Sequence, residues 1–236
     1  MKKPFIINLN ENFDWINQES LVEKKDYIKE FKDITDSIIS DNGNQTVLDA
    51  LKIMREHFTQ NKFDIFLSHA HKDEKYALKI AHYFEKKGKK VFIDSLYWDY
   101  IDDLLKKLDD KFCYMKNTET YNYHKRNKTT SLIHSILGTS LTMMIEKCDL
   151  FIFLESDNLI DKSINNILDF DNISATTSSW VYFELMTASL LYKIITNVSK
   201  SFRNANEDFH ILFEYDDLVR NFKRIKAQEE IEKEIN

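Results

Sequence analysis

From Phe63 onward the chain alternates short apolar runs with segments of helical period, and this alternation constrains the fold more than any other feature. Residues 63–68, 91–93 and 150–154 are strand-sized and apolar, without the strict in-out alternation of a half-buried strand. Between the first two, residues 74–87 place Ala77, Ile80, Ala81 and Phe84 on one helical face, which stops at Gly88. Continuous apolar strands separated by helices are what a parallel sheet buried on both faces requires. The expected fold class is therefore α/β, a small doubly wound parallel sheet. In such sheets ligands bind beyond the carboxyl ends of the strands, near the point where strand order reverses.

The remaining segments are read in the same way. Residues 97–112 are amphipathic through Trp98, Ile101, Leu104, Leu105 and Leu108, and a further helix runs through Leu132, Ile136, Leu141 and Ile145. Between them the polar, tyrosine-rich stretch 113–130 has no clear period and reads as an inserted loop. Residues 156–177 form a long connection, 180–198 a helix, 210–213 a final short strand, and 216–235 a charged terminal helix. The first sixty residues carry two helical patterns, 14–39 and a second containing Val47, Leu48, Leu51, Met54 and Phe58, with Thr46 as its N-cap. The expected organisation is a helical extension over 1–60 and an α/β domain over 61–236.

Composition narrows the chemistry. The longest apolar runs fall far short of the roughly 20 residues that cross a bilayer, and the start of the chain has no apolar stretch of signal-peptide length, so the cytoplasm is expected. A formal charge of -6 argues against a general nucleic-acid binder. Cys113 and Cys148 are not spaced to close a zinc site and are expected as buried thiols. Three widely separated glycines, Gly43, Gly88 and Gly138, form neither a dinucleotide-binding fingerprint nor a phosphate loop.

Four segments carry a more specific signal. Phe63-Asp64-Ile65-Phe66-Leu67-Ser68-His69-Ala70-His71-Lys72-Asp73-Glu74 resembles the first box of Toll/interleukin-1 receptor (TIR) domains. Lys90–Asp94 is similar to their second strand, Cys148–Ser156 to their third, and Ser178-Ser179-Trp180-Val181-Tyr182-Phe183-Glu184 to their Ser-x-Trp-x-x-x-Glu helix. Order and spacing agree from about Phe63 to Phe213. The resemblance implies a flavodoxin-like TIR fold and, among TIR proteins, is nearest to the stand-alone bacterial members, some of which serve Thoeris antiphage systems. Two departures stand out: residues 95–100 lack the glycine of the usual short loop, and the 113–130 insertion is extra.

By that resemblance the chain is expected to cleave NAD at the nicotinamide-ribose bond, with Glu184 catalytic. NAD is then substrate and no cofactor is needed. The product is expected to be ADP-ribose-derived and to signal to a separate effector protein in antiviral defence. A phage-derived activator and homo-oligomerisation on activation are the implied partners, with no nucleic acid, membrane or metal. The residues themselves leave two roles for Glu184. Lys193 is the only other charged side chain between Ser178 and Val198, so the carboxylate either faces a cleft beside Trp180, one turn earlier, or satisfies a helix terminus or basic neighbour.

Ser68, His69 and His71 lie where the first strand ends and are candidate substrate contacts, as are Asp94, Trp98 and Trp180. Tyr121 and Tyr123 are secondary candidates for the adenosine half. The competing class is a non-catalytic TIR adaptor acting through association alone. A phospho-receiver would need an acidic cluster at the strand ends with a later lysine, and Asp94 alone does not supply it.

Overall fold

The computed structural model describes residues 3–11, 14–19, 39–42, 45–48, 62–160, 174–192, 202–205 and 210–235. They group into two compact units. The first draws on Met1–Val22, Phe63–Ile93 and Ile145–Asn236, the second on Glu23–Lys62 and Asp94–Met144. Each unit takes residues from both sides of position 60, where the sequence pattern places a boundary.

The first unit is built on a five-stranded, wholly parallel sheet. Its strands are β1 (Lys3–Asn8), β4 (Ile65–Ser68), β5 (Val91–Ile93), β8 (Leu150–Glu155) and β12 (Lys223–Ile225), in the spatial order β12-β1-β8-β4-β5. The chain is thus α/β with a parallel sheet flanked by helices. Strand β8 lies at the centre because Leu150-Phe151-Ile152-Phe153-Leu154 is apolar throughout and buried on both faces. It pairs with β1 on one side, Ile6 opposite Phe153, and with β4 on the other, Ser68 opposite Phe153. Phe66 stacks on Phe151 at 5.5 Å and leans on Phe92 at 5.2 Å, which locks β4, β8 and β5 together on one face.

Two expectations are corrected here. Lys3–Asn8 is a sheet strand and not part of a helical extension: Phe5, Ile6 and Ile7 are fully buried between two neighbours, and Pro4 is tolerated because pairing with β12 begins only at Phe5. Asp14–Gln18 is helical, and Gln45–Leu48 (β3) pairs antiparallel with Ile39–Asn42 (β2), so Thr46 caps no helix. The rest of both helical patterns, 20–38 and 49–61, lies outside the described residues. The charged C-terminal segment is likewise not one helix. It divides into the helix Asp216–Val219, strand β12 and the helix Gln228–Ile235, because Phe222 and Ile225 are buried as the chain turns back to the sheet.

The helix Glu74–Lys86 follows β4 through a short turn, His71–Asp73, and ends as the sequence implies. Gly88 has φ 76°, and the amides of Gly88 and Lys89 return to the carbonyls of Glu85 and Phe84 at 2.9 and 3.1 Å. A side chain at that left-handed position would be strained, so the glycine terminates the helix. His210–Glu214 (β11) is a strand, but it belongs to a separate antiparallel sheet with Phe202–Ala205 (β10) and Ala175–Thr176 (β9).

The second unit contains the helix Ser95–Phe112, a small hairpin of Tyr114–Met115 (β6) and Thr120–Tyr121 (β7), and most of the helix Tyr123–Lys147. The expected 113–130 loop is therefore a hairpin followed by two helical turns. Asn122 is the reason: its side-chain oxygen accepts the amide of Lys125 at 3.0 Å and its carbonyl accepts that of Arg126, starting the helix ten residues before its apolar stripe.

Candidate functional site

All five strands of the parallel sheet run the same way, so their carboxyl ends share one edge. The order of the strands in the chain reverses between β4 and β8: the chain leaves β4 for β5 on one flank and then returns to β8 and β12 on the other. That junction is where parallel sheets present a ligand crevice. Ser68 is the last residue of β4 and Glu155 the last of β8.

Glu184 reaches this edge from the helix Ser179–Leu191. The helix forms there because Ser178 caps it, accepting the amide of Val181 at 3.2 Å, while its own amide donates to Thr176 Oγ1 at 3.1 Å. Thr176 in turn donates to the carbonyl of Leu159 at 3.0 Å. This chain of short-range hydrogen bonds fixes the helix start against the turn that follows β8. Val181, Leu185 and Ala188 are buried on the helix, and Glu184 is buried among them with no exposed surface. Ser68 Oγ donates to Glu184 Oε2 at 2.6 Å, joining positions 116 apart in sequence. A carboxylate is held there because the hydroxyl offsets part of its desolvation.

The other candidates are distributed as follows. His69 is buried immediately after Ser68, whereas His71 is exposed at the start of the turn His71–Asp73. Trp180 is half-buried, with its ring edge-on to Phe183 at 6.0 Å. Asp94 is buried directly after β5 but falls in the second unit, as do Trp98, Tyr121 and Tyr123. Trp98 lies on the helix Ser95–Phe112, and its side chain is outside what the structure describes. Tyr121 and Tyr123 are exposed on the hairpin and the helix that follows it. Of the sequence candidates, then, Ser68 and Glu184 are joined directly. Comparison with family profiles, characterised proteins and solved structures finds no match to this chain.

Two further carboxylates at this edge were not singled out by sequence pattern. Asp73 is buried, accepts a short hydrogen bond from Ser156 Oγ, and takes Asn158 Nδ2 at 2.6 Å. It thereby ties the turn after β4 to the turn after β8, across the point where strand order reverses. Glu155 accepts from Arg224 at 2.6 Å and from Asn8 at 3.2 Å, and this hydrogen bond to Glu155 is the main cause that raises the guanidinium pKa. Burial, reinforced by the charge of Glu155, pushes the Tyr215 phenol far above its ordinary range, so it stays protonated there. A Ser-x-Asn directly after the apolar strand β8, with an Asp in the turn after β4, is the only sequence signal for the Asp73 cluster. Among the described residues, no group of three or more His, Cys, Asp or Glu is placed to hold a metal ion, and no helix is long and apolar enough to cross a membrane.

Proposed function

We propose that the chain is a TIR-type NAD nucleosidase that breaks the bond between nicotinamide and ribose, with Glu184 as the catalytic carboxylate. The observation that carries the reading is Glu184 itself: the one charged residue of the helix Ser179–Leu191, at the carboxyl edge of a parallel sheet and hydrogen-bonded there by a residue of the first TIR-like box. The finer fold reading, flavodoxin-like and TIR, belongs to the same proposal. Strands β5, β4 and β8 stand in the relative order 2-1-3 that such a sheet requires, with β1 and β12 filling the two positions beyond.

The chemistry suits a single acid. Glycosidases acting on ordinary sugars need one carboxyl to protonate the departing oxygen and a second to assist attack. In NAD the pyridinium nitrogen already bears the positive charge. As the C–N bond breaks, its electron pair returns to the ring and nicotinamide leaves neutral. Positive charge then develops at the anomeric carbon, where a carboxylate stabilises it and orients the ribose hydroxyls. Water adds to that carbon and releases a proton, giving ADP-ribose; an internal nucleophile in place of water gives a cyclic product. Ser68 holds Glu184 through a hydroxyl, the same type of donor that ribose would present. The product would serve as a signal to a separate effector in cytoplasmic antiphage defence, with an activator and self-association switching the enzyme on.

A second reading is favoured by one observation. Glu184 has no exposed surface, as a purely architectural carboxylate would, which suits an adaptor working through TIR association alone. The two readings separate on incubation of the purified protein with NAD, alone and with lysate from phage-infected cells, and identification of products by mass spectrometry. Nicotinamide with an ADP-ribose-derived partner is the expected result. Intact NAD under both conditions would favour the adaptor.

A further inference from the structure

The hairpin β6–β7 and the helix that follows it, in the second unit, carry a surface that takes no part in the bond-breaking chemistry proposed for Glu184. Tyr114, Tyr121 and Tyr123 are 42%, 37% and 72% exposed, three large rings on one short stretch of chain. Tyr114 and Tyr121 meet edge to face at 5.5 Å, and Tyr123 stands edge to face with His124 at 5.7 Å. Around them Lys116, Lys125, Arg126 and Lys128 are exposed. Residues 111–128 hold five Lys or Arg against the single acid Glu119, a local charge of +4 in a chain whose total is -6.

Neither feature is what a merely solvated face needs. The helix Tyr123–Lys147 has no acid in its first turn, while Lys125, Arg126 and Lys128 add positive charge to the end of the helix that is already positive. That placement is the less favourable one for an isolated helix. The neighbouring acids are engaged in holding the surface in shape. Asp110 accepts the Tyr121 hydroxyl, and Asp109, which is buried, accepts Arg126 Nε at 3.0 Å. The Arg126 guanidinium lies over the Tyr121 ring at 5.4 Å, so the ring and the cation are held as one piece.

We propose that this face binds single-stranded nucleic acid, with the lysines and Arg126 on the phosphates and the tyrosine rings stacking on bases. Charge complementarity sets the polymer's sign, and exposed flat rings beside cations favour unpaired bases over a lipid surface, where aromatic side chains need an apolar layer to enter. The net negative charge of the whole chain is compatible with such a face because binding depends on the local patch.

The test is fluorescence anisotropy of the full chain with a fluorescein-labelled oligothymidylate of about twenty nucleotides, longer than the roughly 4–16 that a single-strand groove covers. Binding is expected to weaken with salt, with a log-log slope of about -3 for four phosphate contacts on a single strand. Tyr123→Ala is expected to weaken it about fivefold or more, the loss of one stacked base. The double variant Lys125→Glu, Lys128→Glu is expected to weaken it further and flatten the salt slope. These positions are exposed, and circular dichroism verifies that the variants fold. Absence of binding at low salt, equal binding by the variants, or binding to phosphatidylserine vesicles without binding to the oligonucleotide would each overturn the proposal.

Discussion

Glu184 in the first unit and Asp109 in the second are both buried carboxylates on helices, and the hydrogen bonds described for them differ. Asp109 accepts from a guanidinium, Arg126 Nε at 3.0 Å, and from Thr129 Oγ1 and the Cys113 thiol at 3.5 Å. Arg126 and Thr129 come from the helix Tyr123–Lys147 and Cys113 ends the helix that carries Asp109, so the carboxylate fastens one helix to the other. Glu184 sits among Val181, Leu185 and Ala188 and takes a neutral hydroxyl from a strand terminus. A charge-paired, multiply bonded carboxylate is architecture. A carboxylate held by a hydroxyl at the ligand edge of a parallel sheet has a partner that a substrate hydroxyl can replace.

The largest expected effect tests this contrast directly. Glu184→Gln keeps the size and a hydrogen bond to Ser68 while removing the charge that an oxocarbenium-like state requires. NAD turnover under activating conditions is expected to fall about 10²- to 10³-fold, as for loss of one main electrostatic stabiliser, with melting unchanged. Wild-type turnover by a variant that melts normally would make Glu184 as architectural as Asp109. Ser68→Ala is expected to cost about 1–3 kcal/mol of stability by leaving a buried acceptor unmade, read as a lower melting temperature.

Asp109→Ala should show the opposite profile, with stability lost and catalysis per folded molecule retained. Removing it breaks its hydrogen bonds with Arg126, Thr129 and Cys113, an expected cost of about 1–3 kcal/mol. Arg126→Ala should cost less, under about 1 kcal/mol, because the Arg126 side chain is 54% exposed and water screens the pair. Urea unfolding followed by circular dichroism measures both. An Asp109 variant as stable as the parent would show that the cluster contributes nothing net.

The contrast also shows what could be read before folding. Strands β4, β5 and β8 were legible because burial on both faces leaves a continuous apolar run, which needs no long-range information. Strand β1 was not, since only Phe5, Ile6 and Ile7 are apolar, and their burial depends on β8 and β12, more than 140 and 210 residues away. Strand β12 escaped notice because Lys223 and Arg224 read as a charged helix face and its place at the sheet edge leaves them exposed. The individual site candidates Ser68 and Glu184 were visible as residues in boxes, but their hydrogen bond across 116 positions is a property of the fold. Asp73 is hidden in the sequence for the converse reason: its partners Ser156 and Asn158 are small polar residues of a loop, and only the sheet brings that loop to it. Tyr123 and His124 read as loop from sequence because polar residues dominate the helix start, although Asn122 is a good N-cap.

The smallest expected effect extends the comparison to a carboxylate near the surface. Glu232, on the C-terminal helix, accepts from Tyr83 at 2.6 Å and Lys87 at 2.8 Å, residues at the end of the helix that follows β4, and from Gln228 at 3.0 Å. The hydrogen bond from Lys87, followed by that from Tyr83, lowers its pKa from 4.5 to about 2. Because the folded value is the lower one, this carboxylate stabilises the docked helix fully above the unfolded pKa, and the stabilisation is lost as pH falls through the folded value. Hydrogen exchange over Gln228–Ile235, normalised to intrinsic rates, should therefore rise between about pH 5 and about pH 2 in the parent. Glu232→Gln has no proton to gain over that interval, so its helix should exchange somewhat faster at neutral pH and show a smaller rise on acidification. An identical pH response in both proteins would mean that the helix is held by Ile231 and Ile235, which are buried, and that the surface carboxylate only decorates the contact.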